Sequence, residues 1–297
     1  MRLVTYRHRG SQRAGVLANE LVVDLERAGG LPPTLRGFLA LGEQGRTAAE
    51  RAVAEVERRL PDEEQRLLDQ GVVFGAAEVR FAPPVPDPEK IICLGRNYRA
   101  HAEEAGMQLP EAPELFAKYA NALCGHEDPI RIPRVTDRVD YEAELAVVVG
   151  RPGRYIEAAE ALHHVAGYTC FHDVSARDFQ MRTSQWLAGK GFDGFAPMGP
   201  WLVTRDEVVD PHALRISLRI GSEVLQDSNT SMMVFKIPEL IASISRIMTL
   251  QPGDIIATGT PEGVGFTRQP PRFLRPGDQV VVSIEGVGEL CNPVQAE

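Results

Sequence analysis

Cysteine is scarce in this 297-residue chain and basic residues are outnumbered, and each shortage removes a class of function. The four cysteines, Cys93, Cys124, Cys170 and Cys291, are widely spaced, so no CxxC pair exists for a zinc or dithiol redox centre, and buried free thiols are expected. With 32 Lys and Arg against 41 Asp and Glu, the formal charge of −9 argues against a nucleic-acid surface. An anionic ligand must then be captured by local positive charge, from a metal ion or a few inward-pointing side chains. No apolar run approaches the ~20 residues needed to cross a bilayer, and Met1–Arg9 lack the apolar core of a signal peptide, so a soluble, cytoplasmic protein without membrane contact is expected. There is no Gly-x-Ser-x-Gly elbow for a serine hydrolase, and the Gly-rich turn Ala257–Gly265 lacks the Lys-Ser/Thr ending of a phosphate loop.

What is present divides in two. Residues 1–75 alternate short strand-like pieces (Leu3–Tyr6, Ala14–Leu17, Leu21–Leu25) with a charged helical stretch over 47–68, which reads as a small α/β domain. Four prolines within Pro83–Pro88 read as an extended linker. Beyond it, short apolar runs broken by Gly, Pro and Asp suggest a β-rich α+β catalytic domain over 76–297.

The run Asp140–Val149 places Glu142 and Glu144 among apolar residues. In a strand they share one face, about 7 Å apart at Cα. Two readings stay open at this point: the wet face of an edge strand, or a pair of ligands for a hard divalent cation such as Mg²⁺ or Mn²⁺. Asp173, at the end of the apolar run Ala166–Cys170, is either a third oxygen ligand or a helix N-cap, and His172 beside it reads as a packed residue. A helical His101-x-x-Glu104 puts both side chains on one face, as a base with its orienting acid or as a solvent-facing pair. Arg96, Lys118, Arg177 and Lys190 are candidate anion contacts, Lys190 within the Gly-rich segment Ala188–Phe195.

Taken in order, Leu94-Gly95-Arg96-Asn97-Tyr98 with His101 and Glu104, Leu115–Lys118, Val139–Leu145, Asp173–Gln180, Gly189–Asp193 and Thr258–Gly265 resemble the fumarylacetoacetate hydrolase family, in its acylpyruvase and 2-hydroxyhepta-2,4-diene-1,7-dioate isomerase branch. The resemblance covers roughly residues 76–294. It implies a mixed β-roll catalytic domain, a homodimer, and Glu142, Glu144 and Asp173 as ligands for Mg²⁺ or Mn²⁺, with Ca²⁺ able to substitute in a crystal. It further implies His101, Glu104 and Lys190 as catalytic groups, Arg96, Gln180 and Thr260 near a small anionic 2-oxo acid, and a mobile lid around His101. The activity expected is hydrolysis of the carbon–carbon bond of a 2,4-dioxo acid, with decarboxylation or isomerisation of oxaloacetate or an unsaturated dicarboxylate as the alternative. Two positions depart from the family pattern: Tyr119 stands where proline is common, and Gly191 where serine is frequent.

Overall fold

Every residue of the Ala143–Val149 strand is buried, and its place in the sheet is the reason. The computed structural model describes all residues 1–297, and in it this strand lies between Val165–His172 and Ile255–Ala257, antiparallel to both. Side chains of opposite parity therefore enter two different cores. Leu145, Val147 and Val149 join a cluster that includes Ile216, Leu218 and Val282 from a second, five-stranded sheet and Leu240, Ile241 and Ile244 from a helix. Ala146 and Val148 pack instead with Leu25, Leu35 and Phe38 from the N-terminal segment. Glu144 has the parity of the second set, at the end of its row. The edge-strand reading of the two glutamates is thereby excluded.

The large sheet has twelve strands and stays open, running from Val73–Gly75 to Glu114–Lys118. Its neighbours are antiparallel except where Ile255–Ala257 lies parallel to Ile91–Gly95, and where the short Leu123–Cys124 lies parallel to Ala196–Thr204. The second sheet carries Glu223–Asn229, Arg215–Ile220, Gln279–Ile284, Gly288–Ala296 and Ile130–Ile132. Helix Ile237–Ile247 covers the shared core because Ile237, Leu240, Ile241 and Ile244 recur at helical spacing, and Glu239 Oε2 accepts the Lys236 N–H at 2.7 Å where the helix begins. The architecture is β-rich α+β, as expected.

Residues 1–75 continue the large sheet, since Arg2–His8 pairs with Ala196–Thr204. The expected 47–68 helix extends over Gly42–Asp69 and breaks at Glu63, two residues past Pro61. The proline segment is not a free linker: Arg80–Ala82 pairs with Thr5–Arg7, Thr5 Oγ1 donates to the Pro84 carbonyl at 2.6 Å, and Ala82–Val85 are buried. The segment is not extended either, since residues 84–87 form successive bends, and its burial depends on a partner strand some 75 residues away in the chain.

Leu218 is fully buried where the two sheets meet. Leu218→Ala is expected to lower stability by about 2–5 kcal/mol, as a fall in urea midpoint at unchanged slope. An unchanged midpoint would show that the second sheet does not supply this core.

Candidate active site

The site follows from strand direction. Glu144 lies at the start of its strand, and Asp173, Thr258 and Arg96 each follow directly the last residue of one of three neighbouring strands. The antiparallel and parallel pairings bring these four positions to one edge of the sheet. Glu142, just before the first strand, is tied in by its carbonyl, which accepts the Asp173 N–H at 2.9 Å. Carboxylate oxygens of Glu142, Glu144 and Asp173 then lie within 4.8 Å of one another, all buried. Asp173 caps no helix; the following helix, Arg177–Gln180, begins after Ala176 without a side-chain cap.

Three cations answer this charge. Lys190 Nζ bridges Glu142 Oε2 at 2.8 Å and Asp173 Oδ2 at 2.7 Å. Lys118 Nζ donates to Asp173 Oδ1 at 2.5 Å and to the Val174 carbonyl at 2.9 Å. Arg177 spans Asp140 Oδ2 at 2.8 Å and Glu142 Oε1 at 2.7 Å, and Gln180 Oε1 accepts its Nη1 at 2.9 Å. Lys118 and Arg177, expected as anion contacts, thus face the protein's own carboxylates. Glu144 has no cationic partner, and the only hydrogen bond to its carboxylate is from the Gly259 N–H at 2.9 Å. That contact needs glycine: Gly259 has φ +94°, and a Cβ there would stand 2.8 Å from Asn97 Cβ.

The two glutamates consequently diverge. Burial alone would raise the Glu142 carboxyl, but Lys190 and Arg177 outweigh it and hold it well below the usual range. Burial, reinforced by Asp173 and Glu142, pushes Glu144 well above it. With Glu144 ionised, the four carboxylates, Asp140 included, exceed the three cations by one buried negative charge, which a proton on Glu144 or a bound cation must offset. Hard oxygen donors, converging and under-compensated, suit a divalent cation.

A cavity opens over this cluster. Glu142, Glu144, Lys190 and His101 line it with an apolar wall of Phe116, Trp186 and Phe266, while Asp173 sits behind. His101 Nδ1 meets Glu104 Oε1 at 3.0 Å, and Glu104 Oε2 accepts the Gly263 N–H at 2.9 Å. Burial would raise Glu104, but His101 and that amide lower it, so a carboxylate orients the imidazole and Nε2 is left free. Arg96, Gln180 and Thr260 also line the cavity. Arg96 is engaged by Glu114 at 2.7 Å, and Thr260 Oγ1 accepts from Gln226 Nε2 at 2.9 Å. His172 is buried with both ring nitrogens unpartnered, and burial with Lys118 nearby pushes it down to about 3, which keeps it neutral.

Two organising residues were not among the expected site residues. Asp140 accepts the N–H groups of Gly265 at 2.8 Å and Phe266 at 3.0 Å as well as the Arg177 guanidinium. Gln226 accepts the Ala143 N–H at 2.9 Å while donating to Thr260 and to the Pro261 carbonyl. Asp140 stood in the acidic run already singled out; nothing in the chain marks Gln226.

Residues 90–295 match the family model for the fumarylacetoacetate (FAA) hydrolase C-terminal domain. A mitochondrial oxaloacetate tautomerase of Bos taurus is 48% identical over 266 residues, 89% of this chain and 80% of its own length. A maleylpyruvate hydrolase of Sphingobium, in complex with manganese(II) and pyruvate, is 33% identical with a TM-score of 0.79, covering 100% of this chain and 99% of its own. A 2-hydroxyhepta-2,4-diene-1,7-dioate isomerase of Mycobacterium marinum is 31% identical with a TM-score of 0.76, at 100% and 99% coverage. No helix of this chain is long and apolar enough to cross a membrane, and the mitochondrial name of the bovine relative gives no support to a cytoplasmic location.

Because Glu144 takes up a proton on folding, the folded, chelator-treated chain holds that proton between the ordinary glutamate range and its raised value. Stability is therefore expected to fall as pH rises through this window. Glu144→Gln should remove the decline, raising the Tm of the chelated protein at pH 8, while weakening Mn²⁺ binding at least about 10-fold. A wild-type Tm that rises over the window, or a variant with undiminished Mn²⁺ affinity, would contradict this.

Proposed function

Because the chain belongs to the fumarylacetoacetate hydrolase family, we propose that it is a divalent-metal-dependent enzyme that interconverts the keto and enol forms of oxaloacetate. The observation that carries the metal-dependent reading is Glu144, a buried carboxylate without a cation, converging with Glu142 and Asp173. The bovine tautomerase, nearly half identical, supports the choice of reaction. Mg²⁺ or Mn²⁺ held by the three carboxylates would supply Lewis-acid polarisation of a 2-keto oxygen.

The chain's own residues do the rest. His101, with Nδ1 fixed by Glu104, presents Nε2 as a base that takes a proton from C3; the C–H electron pair becomes the C2–C3 double bond, and the proton is returned at O2. Glu104 stabilises the imidazolium that forms in between. Lys190 and Arg177 keep Glu142 ionised and fixed. Phe116, Trp186 and Phe266 keep bulk water from the reacting atoms. One excess negative charge becomes one positive charge when a divalent ion is added, which favours a small anionic 2-oxo acid. A homodimer is part of the proposal, as the sequence resemblance implies.

A second reading is hydrolysis of a 2,4-dioxo acid, favoured by the His101–Glu104 pair and the likeness to maleylpyruvate hydrolase. There His101 would take its proton from the attacking water.

Loss of enol absorbance on adding metal-loaded protein to oxaloacetate, with acylpyruvate cleavage followed in parallel, tests both. Oxaloacetate ketonisation should accelerate, and His101→Ala should slow it about 10²–10⁴-fold at unchanged Mn²⁺ affinity. Acylpyruvate cleavage without any effect on the oxaloacetate enol would replace the first reading by the second.

A further inference from the structure

Arg96 differs from the other cations of the site. Lys118, Lys190 and Arg177 hold the buried carboxylates, whereas Arg96 holds the rim: Nε donates to Glu114 Oε2 at 2.7 Å and Nη1 to the Gln108 carbonyl at 2.8 Å. Gln108 lies in the connection between helix Arg99–Glu104 and strand Glu114–Lys118, and Glu114 opens that strand. The pair is about one-quarter to one-third exposed, at 25% and 32%, and so within reach of an incoming solute.

The backbone pays attention to this residue's direction more than to its comfort: Arg96 has φ +53°, in the left-handed region that favours glycine. Asn97 holds the strained turn, donating to the carbonyls of Thr258 at 2.8 Å and Phe235 at 3.1 Å and accepting the Phe235 N–H at 2.8 Å. Arg96 thereby lines the cavity beside Thr260 and Lys190. The free space inside is about 30 Å³, room for a water or two. A four-carbon acid cannot enter without displacing contacts at the rim.

We propose that Arg96 and Glu114 form a carboxylate-exchange gate: the distal carboxylate of a dicarboxylic 2-oxo acid replaces Glu114 on the Arg96 guanidinium, so that dicarboxylates are selected over 2-oxo acids with a neutral tail. This rests on the site taking 2-oxo acids. Glu114 holds only the Nε edge of the guanidinium, through one oxygen, and Nη1 holds Gln108, so a substrate carboxylate that takes that edge displaces Glu114 and loosens the rim that Arg96 ties to Gln108. A ligand with only one carboxylate, which the metal side takes, has none left for Arg96 and gains nothing from the exchange, so it binds more weakly and independently of the pair.

Trp186 lines the cavity and reports entry by its fluorescence. The Mg²⁺-loaded protein is titrated with oxaloacetate and with pyruvate, which lacks the distal carboxylate. Arg96→Met should weaken oxaloacetate about 10-fold or more and pyruvate by less than about threefold, with Arg96→Lys between. Glu114→Gln, which removes the competitor but keeps the shape, should tighten oxaloacetate severalfold and leave pyruvate unchanged. Variants that change both ligands alike, or a wild type that binds neither, overturn the gate. The predicted selectivity without turnover of either compound supports the gate and refutes the proposed tautomerase.

Discussion

An unbalanced buried charge organises this molecule. Glu144 lies in a strand covered on both faces, beside two further carboxylates, and only a backbone amide answers it. A buried anion of that kind persists only by protonation or by acquiring a cation. Lys118, Lys190 and Arg177 neutralise its neighbours in fixed directions and stop short of neutralising Glu144 itself. The surrounding architecture maintains that arrangement: Asp140 anchors Arg177, Gly259 brings an amide to Glu144, and Gln226 and Asn97 bind the loop that carries Gly259 to the strands beside it.

Much of the site was legible because its residues violate local expectation. Two glutamates in an apolar run, an aspartate ending another, and a His-x-x-Glu spacing all stand out against their surroundings. Lys118 and Arg177 were legible as charges but not as to direction, since whether a long side chain turns inward depends on what waits there. Here Asp173 and Asp140 wait, contributed by segments 55 and 37 residues away in the chain. Gln226 was invisible for the same reason: a lone amide in a strand gains its meaning only when Ala143 and Thr260 arrive on either side.

In the fold, strand existence was easier to read than strand neighbourhood. The N-terminal strands were recognisable by composition, yet their continuation into the large sheet rests on Arg2 and Leu3 meeting Val203 and Leu202, which no local pattern encodes. The proline segment shows the complementary limit. Proline fixes φ but not ψ, so it dictates neither the bends over residues 84–87 nor the burial, which Thr5 and its strand supply.

We propose Glu142, Glu144 and Asp173 as the ligands of one divalent ion. Anomalous diffraction from crystals grown with Mn²⁺ tests it most directly. One strong peak is expected, bonded to an oxygen of each of the three carboxylates, with Lys190 Nζ no longer bridging Glu142 and Asp173 through the oxygens the ion takes. A peak held by other residues, or none at this site under saturating Mn²⁺, would contradict it.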